Sequence, residues 1–355
     1  MIEELVYTSV PKGLKPDTSG FCVVAETEGL APNLSNAMKQ LSGYRHTFDG
    51  KQKALNPVSC LHIISRVGGI ERHIVSRIAD CGADYSGRTN LIAHHWAFSE
   101  HNDLIPCGPA TILSQPNLFR TVWNEPPHKL QKRGLPPNLS VSPKKCTAWE
   151  RQLGDAGWGG IVAERAEKGD PISLIFEPGT DVLPLLAEAF ALLPQSIRWK
   201  ITFSTFFMKP QEPPGANKVQ IKCILAGSDE EAFARLTPNT LVIDLRQRRN
   251  DVPAGKYVGV ARNGAMKPQS KPKEFETPSP IREPLSQPQS VAASVENDSR
   301  EVYELEPIAP PTNVAARPQR QRPSISSKTK GKKKQTRSLT KTVALLILAL
   351  TILGI

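Results

Sequence analysis

The stretch HIISRVGGIERHIVSRI, residues 62–78, decides the fold of the N-terminal part of the chain. It holds two nearly identical runs, 62–67 and 73–78, with Gly68 and Gly69 between them. Runs rich in β-branched residues on either side of a glycine pair are typical of an antiparallel hairpin. We therefore predict two paired strands here, which need further strands beside them to form a stable sheet.

The flanking sequence supplies those strands. The segments 5–8, 21–25 and 90–99 have the composition of strands. Leu34, Ala37, Met38 and Leu41 have the spacing of a short amphipathic helix. A second helix is expected after Pro109, through Leu113, Leu118 and Trp123. We predict a β-rich α+β domain at 1–125, separated from the next by a proline-rich break.

The second domain is predicted at 146–248. Strands are expected at 172–176, 197–207, 219–225 and 241–245. In 197–207, apolar residues alternate with Arg198, Lys200, Thr202 and Ser204, which is the period of a half-buried strand. Helices are expected to begin near Thr147, Thr180 and Ser228. The order β-α-β-β-α-β predicts a ferredoxin-like unit, and another α/β sandwich is the alternative.

Beyond the second domain the composition changes abruptly. Residues 251–326 contain twelve prolines among many polar residues, so we expect a disordered spacer. Residues 317–341 carry ten Lys or Arg and no acid, and 342–355 form a hydrophobic run that we expect to be helical. The formal net charge is +11, so removing these ten cations leaves +1 for the rest of the chain. The basic character belongs to the tail.

The tail is interpreted as a membrane anchor. Basic residues next to an apolar segment attract a cytoplasmic protein to an anionic membrane surface. The cations closest to the apolar run form the predicted membrane collar: Lys328, Lys330, Lys332, Lys333, Lys334, Arg337 and Lys341. We expect the folded domains in the cytoplasm, because the N-terminus has no apolar export signal. We expect no nucleic-acid partner.

The apolar run is short for a membrane span. Its helical length of about 20 Å is less than the ~30 Å of a bilayer's hydrocarbon core. A tail anchor or a shallow insertion, a docked core helix and a prematurely ended reading frame all remain open. Whether the segment crosses the bilayer is therefore not decided by its composition.

Motifs for catalysis are weak. All seven histidines lie between residues 46 and 128, but His94 and His95 are adjacent on a predicted strand and point to opposite faces. We therefore expect no metal site. A phosphate-binding P-loop, a nucleophile elbow and paired CxxC motifs are all missing from the sequence. We predict no catalytic residue and no cofactor, and we expect the six cysteines to be reduced.

Several stretches resemble a known bacterial family. DYSGRTNLIAHH at 84–95, with Glu100 and the Gly-Pro-Ala at 108–110, resembles the N-terminal type-two domain of GTPase-associated proteins, which are predicted for NTP-dependent conflict systems. The stretches that resemble the middle domain of those proteins are GWGG at 157–160, GTDVLP at 179–184, LLP at 192–194, RW at 198–199, TFST at 202–205 and LAGS at 225–228. The resemblance covers residues 3–247.

The resemblance implies a non-enzymatic adaptor or sensor that works beside a GTPase. The family motif maps onto Arg88, Asn90, His94, His95 and Glu100, which become the candidate residues for binding a ligand or partner. This chain carries a spacer and an anchor where the family has a large C-terminal part. We therefore expect a membrane-tethered, non-catalytic module of a GTPase-linked conflict or signalling system, whose partner is a GTPase or another protein of that system.

Two alternatives remain. One is an enzyme, either a hydrolase or a nucleotide-processing protein, that uses His94 or His95. The other is a membrane-anchored scaffold without a switch. Convergence of Arg88, His95 and Glu100 in one pocket would favour ligand chemistry, and their dispersal over the sheet would favour an adaptor.

Overall fold

One mixed sheet organises the computed structural model, which describes residues 2–99, 105–134, 139–209 and 216–264. Its ten strands within these residues are β1 (Glu3–Val10), β2 (Gly20–Thr27), β3 (Ser59–Val67), β4 (Ile70–Ala83), β5 (Thr89–Ser99), β6 (His128–Leu130), β7 (Ile172–Phe176), β8 (Phe203–Ser204), β9 (Ile221–Leu225) and β10 (Leu241–Asp244). Their order is β10-β7-β9-β8-β3-β4-β5-β1-β2-β6. The sheet passes through both predicted domains, and the mixed α+β class is confirmed.

Helices cover the sheet. The α-helices of the described residues are α1 (Pro32–Gln40), α2 (Pro109–Leu113), α3 (Thr147–Leu153), α4 (Gly157–Glu167), α5 (Leu183–Ala191), α6 (Gln195–Arg198), α7 (Asp229–Leu236) and α8 (Val258–Asn263). A 3-10 helix spans Gly50–Leu55. The helix predicted after Pro109 ends at Leu113, so Leu118 and Trp123 lie beyond it.

The predicted hairpin is confirmed. β3 and β4 pair antiparallel from Ser59↔Ile78 to Val67↔Ile70, with two glycines at the turn. Gly68 and Gly69 both have positive φ, +61° and +84°, which is what a two-residue turn that matches the strand twist requires. β5 continues the sheet beside β4, and β1 beside β5.

The second half of the sheet differs from the prediction. β7 pairs parallel with β9 and with β10, and β8 also pairs parallel with β9. The ferredoxin-like unit is not confirmed. In the local strand order β10-β7-β9-β8, β7 lies between β10 and β9. The connection between β8 and β9 spans 205–220, and a connection longer than a dozen residues can return the chain in the same direction. The alternation of apolar and polar residues along the sequence does not reveal the direction in which such a connection returns the chain.

The strand predicted at 197–207 is wrong over most of its length. Residues 195–198 form α6, and only Phe203–Ser204 pairs as a strand. Arg198, expected to face water, is buried. Its guanidinium donates to the carbonyl oxygens of Phe190, Leu193, Ala191 and Pro106 at 2.8–3.2 Å. Arg198 therefore caps carbonyls at the end of α5 and also holds the Pro106 carbonyl. In the sequence, an arginine in this role cannot be distinguished from a surface residue.

The two faces of the antiparallel half have separate cores. On one face Trp96 and Phe98 of β5 belong to the large core that α2–α5 cover. On the other face Ala93 and Ala97 pack with Leu34 and Met38 of α1. Because neighbouring residues of a strand alternate between faces, His94 lies on the first face and His95 on the second.

The predicted disordered spacer begins too early. Residues 251–264 are ordered, and Tyr257, Val258 and Ala261 are buried. The backbone N–H of Cys146 donates to the Ala261 carbonyl at 2.8 Å. The buried face of α8 was hidden in the sequence by the prolines around it. The rest of the spacer, the membrane collar and the hydrophobic run 342–355 lie outside the described residues.

Candidate functional site

Arg88 lies in the turn between β4 and β5. Its guanidinium donates to Asp84 Oδ2 at 3.1 Å and to Ser86 Oγ at 2.8 Å, while two-thirds of its side chain is exposed. The hydrogen bond from the Ser86 hydroxyl, with others from Ser9 and the turn's backbone N–H groups, holds the pKa of Asp84 well below its usual value. Asp84 is therefore the anchor of the turn, and Arg88 presents a cation to solvent.

Asn90 is buried and joins two strands. Its Oδ1 accepts from the backbone N–H of Ser9 at 3.0 Å and from the Thr8 hydroxyl at 3.2 Å, and its Nδ2 donates back to the Ser9 carbonyl. The side chain thus ties the end of β1 to the start of β5. We find a structural role for Asn90, and its amide is not presented to a partner.

His94 forms a buried contact with the carboxylate of Glu4. Its Nδ1 accepts from the backbone N–H of Arg120 at 2.9 Å, so a neutral His94 carries its proton on Nε2, 3.1 Å from Glu4 Oε2. The indole N–H of Trp96 also lies 3.2 Å from this Nε2. Burial lowers the pKa of His94, although Glu4 counteracts part of this shift. Burial alone would raise the pKa of Glu4, but the bond from His94 and the charges of Arg133 and Arg120 lower it overall. A neutral imidazole therefore hydrogen-bonds an ionised carboxylate.

His95 is fully buried on the opposite face. Its Nδ1 lies 2.7 Å from Ser76 Oγ, and its Nε2 lies 2.9 Å from Ser42 Oγ. Burial lowers the pKa of His95 to about 3. The imidazole links β4 to the end of α1, and both of its nitrogens are occupied by these hydroxyls.

The family motif is spread over the sheet. Arg88 is exposed at a turn, His94 and His95 point into different cores, and Glu100 lies outside the described residues. Because His94 and His95 lie on opposite faces of β5, one pocket cannot hold both of these motif residues. Arg88 and His95 are therefore not brought together, and convergence with Glu100 stays a prediction.

Two buried cysteines have strongly shifted pKa values. Burial raises the pKa of the Cys60 thiol to about 12 and that of Cys107 to about 11. A thiol with such a pKa is a poor nucleophile near neutral pH. In the part of the chain that the structure describes, His, Cys, Asp and Glu side chains do not form any group of three that could hold a metal ion.

A cavity of about 510 Å³ lies against the sheet face that carries His94. Cys60 of β3 and Arg77 of β4 contribute to it from the sheet. Segments from both predicted domains supply the walls: 54–58, 113–117, 119, 121, 176, 179–184 and 205. Its lining includes the GTDVLP stretch at 179–184, in which Gly179 has a φ of +83°. Ser114, Asn117 and Asp181 are exposed, so the cavity opens to solvent.

Arg77 is the residue that sequence reasoning missed. Register pairs it with Cys60 on one side and with His94 on the other, so all three side chains share one face. Among the residues that the structure describes, none accepts a hydrogen bond from its buried Nη1. The signal was present in the sequence, since Val75 and Arg77 are two residues apart in a strand and must share a face. An arginine on the inner face of a strand is unusual.

The match to known families follows the same two parts of the chain. Residues 1–136 match GTPase-associated protein 1, N-terminal domain type 2, and residues 146–247 match GTPase-associated protein 1, middle domain. The chain belongs to the GTPase-associated protein family. No curated protein matches the sequence.

The cavity draws on both GTPase-associated domains. The N-terminal domain supplies Cys60, Arg77 and Phe119, and the middle domain supplies Phe176 and 179–184. Thr205 of the middle domain also accepts from the Cys60 backbone N–H at 2.7 Å and donates to the Val58 carbonyl at 2.9 Å. The two GTPase-associated domains are thus hydrogen-bonded together at the cavity.

Outside the regions that the structure leaves undescribed, no helix is sufficiently long and apolar to cross a bilayer. The predicted anchor and its collar of lysines are not covered by this finding.

Proposed function

We propose that this GTPase-linked module is a non-catalytic adaptor or sensor, tethered to the cytoplasmic face of a membrane by its C-terminal segment. Its two GTPase-associated domains support the link to a GTPase. The observation that carries the non-catalytic part is the burial of His94 and His95, since each of their ring nitrogens already contacts a protein group.

The enzyme alternative needs one of these histidines to move a proton. A general base must reach the substrate's proton and have a pKa near the working pH. The pKa of His95 is about 3, and burial also lowers the pKa of His94. Both are almost fully shielded from solvent. The arrangement suits a structural role for both residues.

The membrane tether rests on the composition of the tail. Ten cations between 317 and 341 precede the apolar run 342–355, and each cation near an anionic surface adds about 1 kcal/mol of attraction. The tether would keep the GTPase-associated domains near a membrane without contributing to their fold.

Fractionation tests the tether. The full chain should sediment with membranes, and a chain that lacks 340–355 should remain in the supernatant. Changing Lys332, Lys333 and Lys334 to Glu should weaken the association, most clearly at low salt, because ions screen surface attraction. If the full and truncated chains both remain in the supernatant, the tether is wrong.

Reconstitution tests the adaptor role. The purified full chain should bind a GTPase encoded beside its own gene, with an affinity that differs between the GDP-bound and GTP-bound forms. Equal affinity for both forms would instead indicate a scaffold. Hydrolysis of a nucleotide or ester by the purified chain, abolished by His95→Gln in a protein that still folds, would overturn the non-catalytic assignment.

A further inference from the structure

The strongest unexplained feature is the guanidinium of Arg77. Its Nη1 is buried and finds no acceptor in the described part of the protein. Arg77 also forms no ion pair within the described residues, because none of their carboxylate oxygens lies within 4.0 Å of its guanidinium. Many other arginines of these residues are paired. A buried donor without an acceptor costs free energy, and a buried charge costs more. Such a group in a native protein calls for an explanation, and a bound partner is one.

The position of Arg77 indicates where that partner would lie. Its side chain lines the cavity of about 510 Å³, which is within the range of small-molecule sites. Among the described lining residues Arg77 is the only cation, and Asp181 is the only acid. Asp181 does not neutralise Arg77, and its Oδ1 accepts from the backbone N–H of Leu183 at 3.1 Å.

We propose that this cavity binds a small molecule that presents one oxyanion, either a carboxylate or a single phosphate, to Arg77. A guanidinium offers a planar fork of donors that matches the oxygens of these groups. The apolar part of the ligand would lie against the hydrophobic lining. The site is independent of the proposed adaptor role, because it rests on the cavity and on Arg77 alone.

The charges of the lining limit the ligand to one anionic group. A triphosphate brings about four negative charges, and a single arginine cannot balance them in a partly buried site. The carboxylate of Asp181 at the exposed edge would repel additional phosphates. The cavity therefore suits a monophosphate or a carboxylate better than a nucleoside triphosphate.

The walls indicate a planar or apolar body. Phe119 and Phe176 are buried and line the cavity, together with Leu113 and Val182. Thr180, Asn117 and Thr205 supply polar atoms among these side chains. A few polar groups in a mostly apolar lining are typical of sites that orient a drug-sized ligand.

Calorimetry on the full chain tests the site with four probes. Guanosine monophosphate offers a phosphate and a planar body, benzoate offers a carboxylate and a planar body, inorganic phosphate lacks the body, and GTP adds charge. Arg77→Met removes the guanidinium and keeps the apolar stem. Arg66→Gln is the control, because Arg66 is an exposed arginine on the neighbouring strand whose Nε donates to the Gly69 carbonyl.

We expect guanosine monophosphate or benzoate to bind more tightly than inorganic phosphate and GTP. Arg77→Met should weaken that binding about 10- to 100-fold, which is the range of a charge-assisted hydrogen bond. Arg66→Gln should bind like the parent, and Arg77→Lys should fall between. Binding by guanosine monophosphate alone identifies the anion as phosphate, and binding by benzoate alone identifies it as carboxylate.

Two results overturn the proposal. One is failure of all four probes to bind the parent chain, or their equal binding to the Arg77→Met variant. The other is loss of folding in Arg77→Met, measured by circular dichroism, because the guanidinium would then be needed by the protein itself. A folded Arg77→Met chain without probe binding supports the site.

Discussion

His94 and Arg77 are neighbours on one face of the sheet, but their surroundings are opposite. His94 contacts Glu4 and the Arg120 backbone N–H, and both of its nitrogens are used. Arg77, on the adjacent strand, has a buried Nη1 for which the described residues provide no acceptor. Buried polar groups that are fully hydrogen-bonded make the fold specific, while a buried group without a hydrogen-bond partner calls for an explanation, such as a bound ligand.

The comparison separates a structural region from a binding region. The motif that carries the family resemblance connects strands and turns, and its histidines are enclosed. The cavity beside it holds a cation, apolar walls and an opening to solvent. We therefore expect mutations in the motif to lower the stability of the fold. Mutations in the cavity should instead weaken ligand binding.

The largest effect is expected for His94→Ala. The change removes the donor to the Glu4 carboxylate and the acceptor of the Arg120 backbone N–H, which are both buried or partly buried. Orphaned partners of this kind cost about 1–3 kcal/mol. Chemical denaturation should show that loss in the free energy of unfolding. His128→Ala is the control, because the His128 side chain is 42% exposed, and it should change stability little. Equal stability of both variants would contradict the structural role of His94.

The pH dependence should be the next largest effect. The pKa of His95 is about 3 in the folded chain, and that of an unfolded histidine is about 6.5. Between these values the unfolded chain binds more protons, so stability is complete above pH 6.5 and falls as the pH decreases towards 3. Each such histidine contributes a slope of up to about 1.4 kcal/mol per pH unit.

His95→Gln isolates this contribution. The amide can still hydrogen-bond to Ser42 and Ser76, but it does not titrate. His62, whose pKa burial also lowers to about 3, remains in the variant. Stability measured between pH 7 and 5 should therefore fall less steeply in His95→Gln than in the parent. Identical slopes would show that His95 can be protonated in the folded state.

A smaller effect is expected for Arg88→Ala. The side chain is two-thirds exposed, and surface ion pairs contribute about 0–1 kcal/mol. Asp84 retains bonds from Ser9 and from the Ser86 hydroxyl and backbone. The melting temperature should change little, while Asp84→Ala, which removes all of these acceptors, should lower it clearly. If Arg88→Ala unfolds the chain, the exposed guanidinium is a structural element after all.

The antiparallel half of the fold could be predicted from the sequence because its signals are local. The Gly68-Gly69 turn and the β-branched runs beside it fix the hairpin. The parallel half could not be predicted in the same way, because its strand directions depend on long connections. The buried Arg198 also contributed to the wrong prediction of a strand at 197–207, because in the sequence a charged residue that caps helix carbonyls looks like a surface residue.

The candidate site was predictable only in part. The resemblance located the Arg88–His95 motif, and strand alternation correctly placed His94 and His95 on opposite faces. That the histidines would both be enclosed depended on Glu4, Ser42 and Ser76, which are distant in the sequence. The cavity could not be predicted, because segments from both domains form its walls.

The most direct test of the account is the stability of Arg77→Met compared with that of the parent chain. If Arg77 serves a ligand and not the fold, replacing this half-buried cation, whose buried Nη1 has no acceptor among the described residues, by an apolar side chain should leave the free energy of unfolding unchanged or raise it. Urea denaturation of both full-length proteins without added ligand gives this comparison. A midpoint for Arg77→Met at or above that of the parent supports the account. A clear loss of stability, like that expected for His94→Ala, would show that Arg77 is another structural partner and would contradict the separation of the two regions.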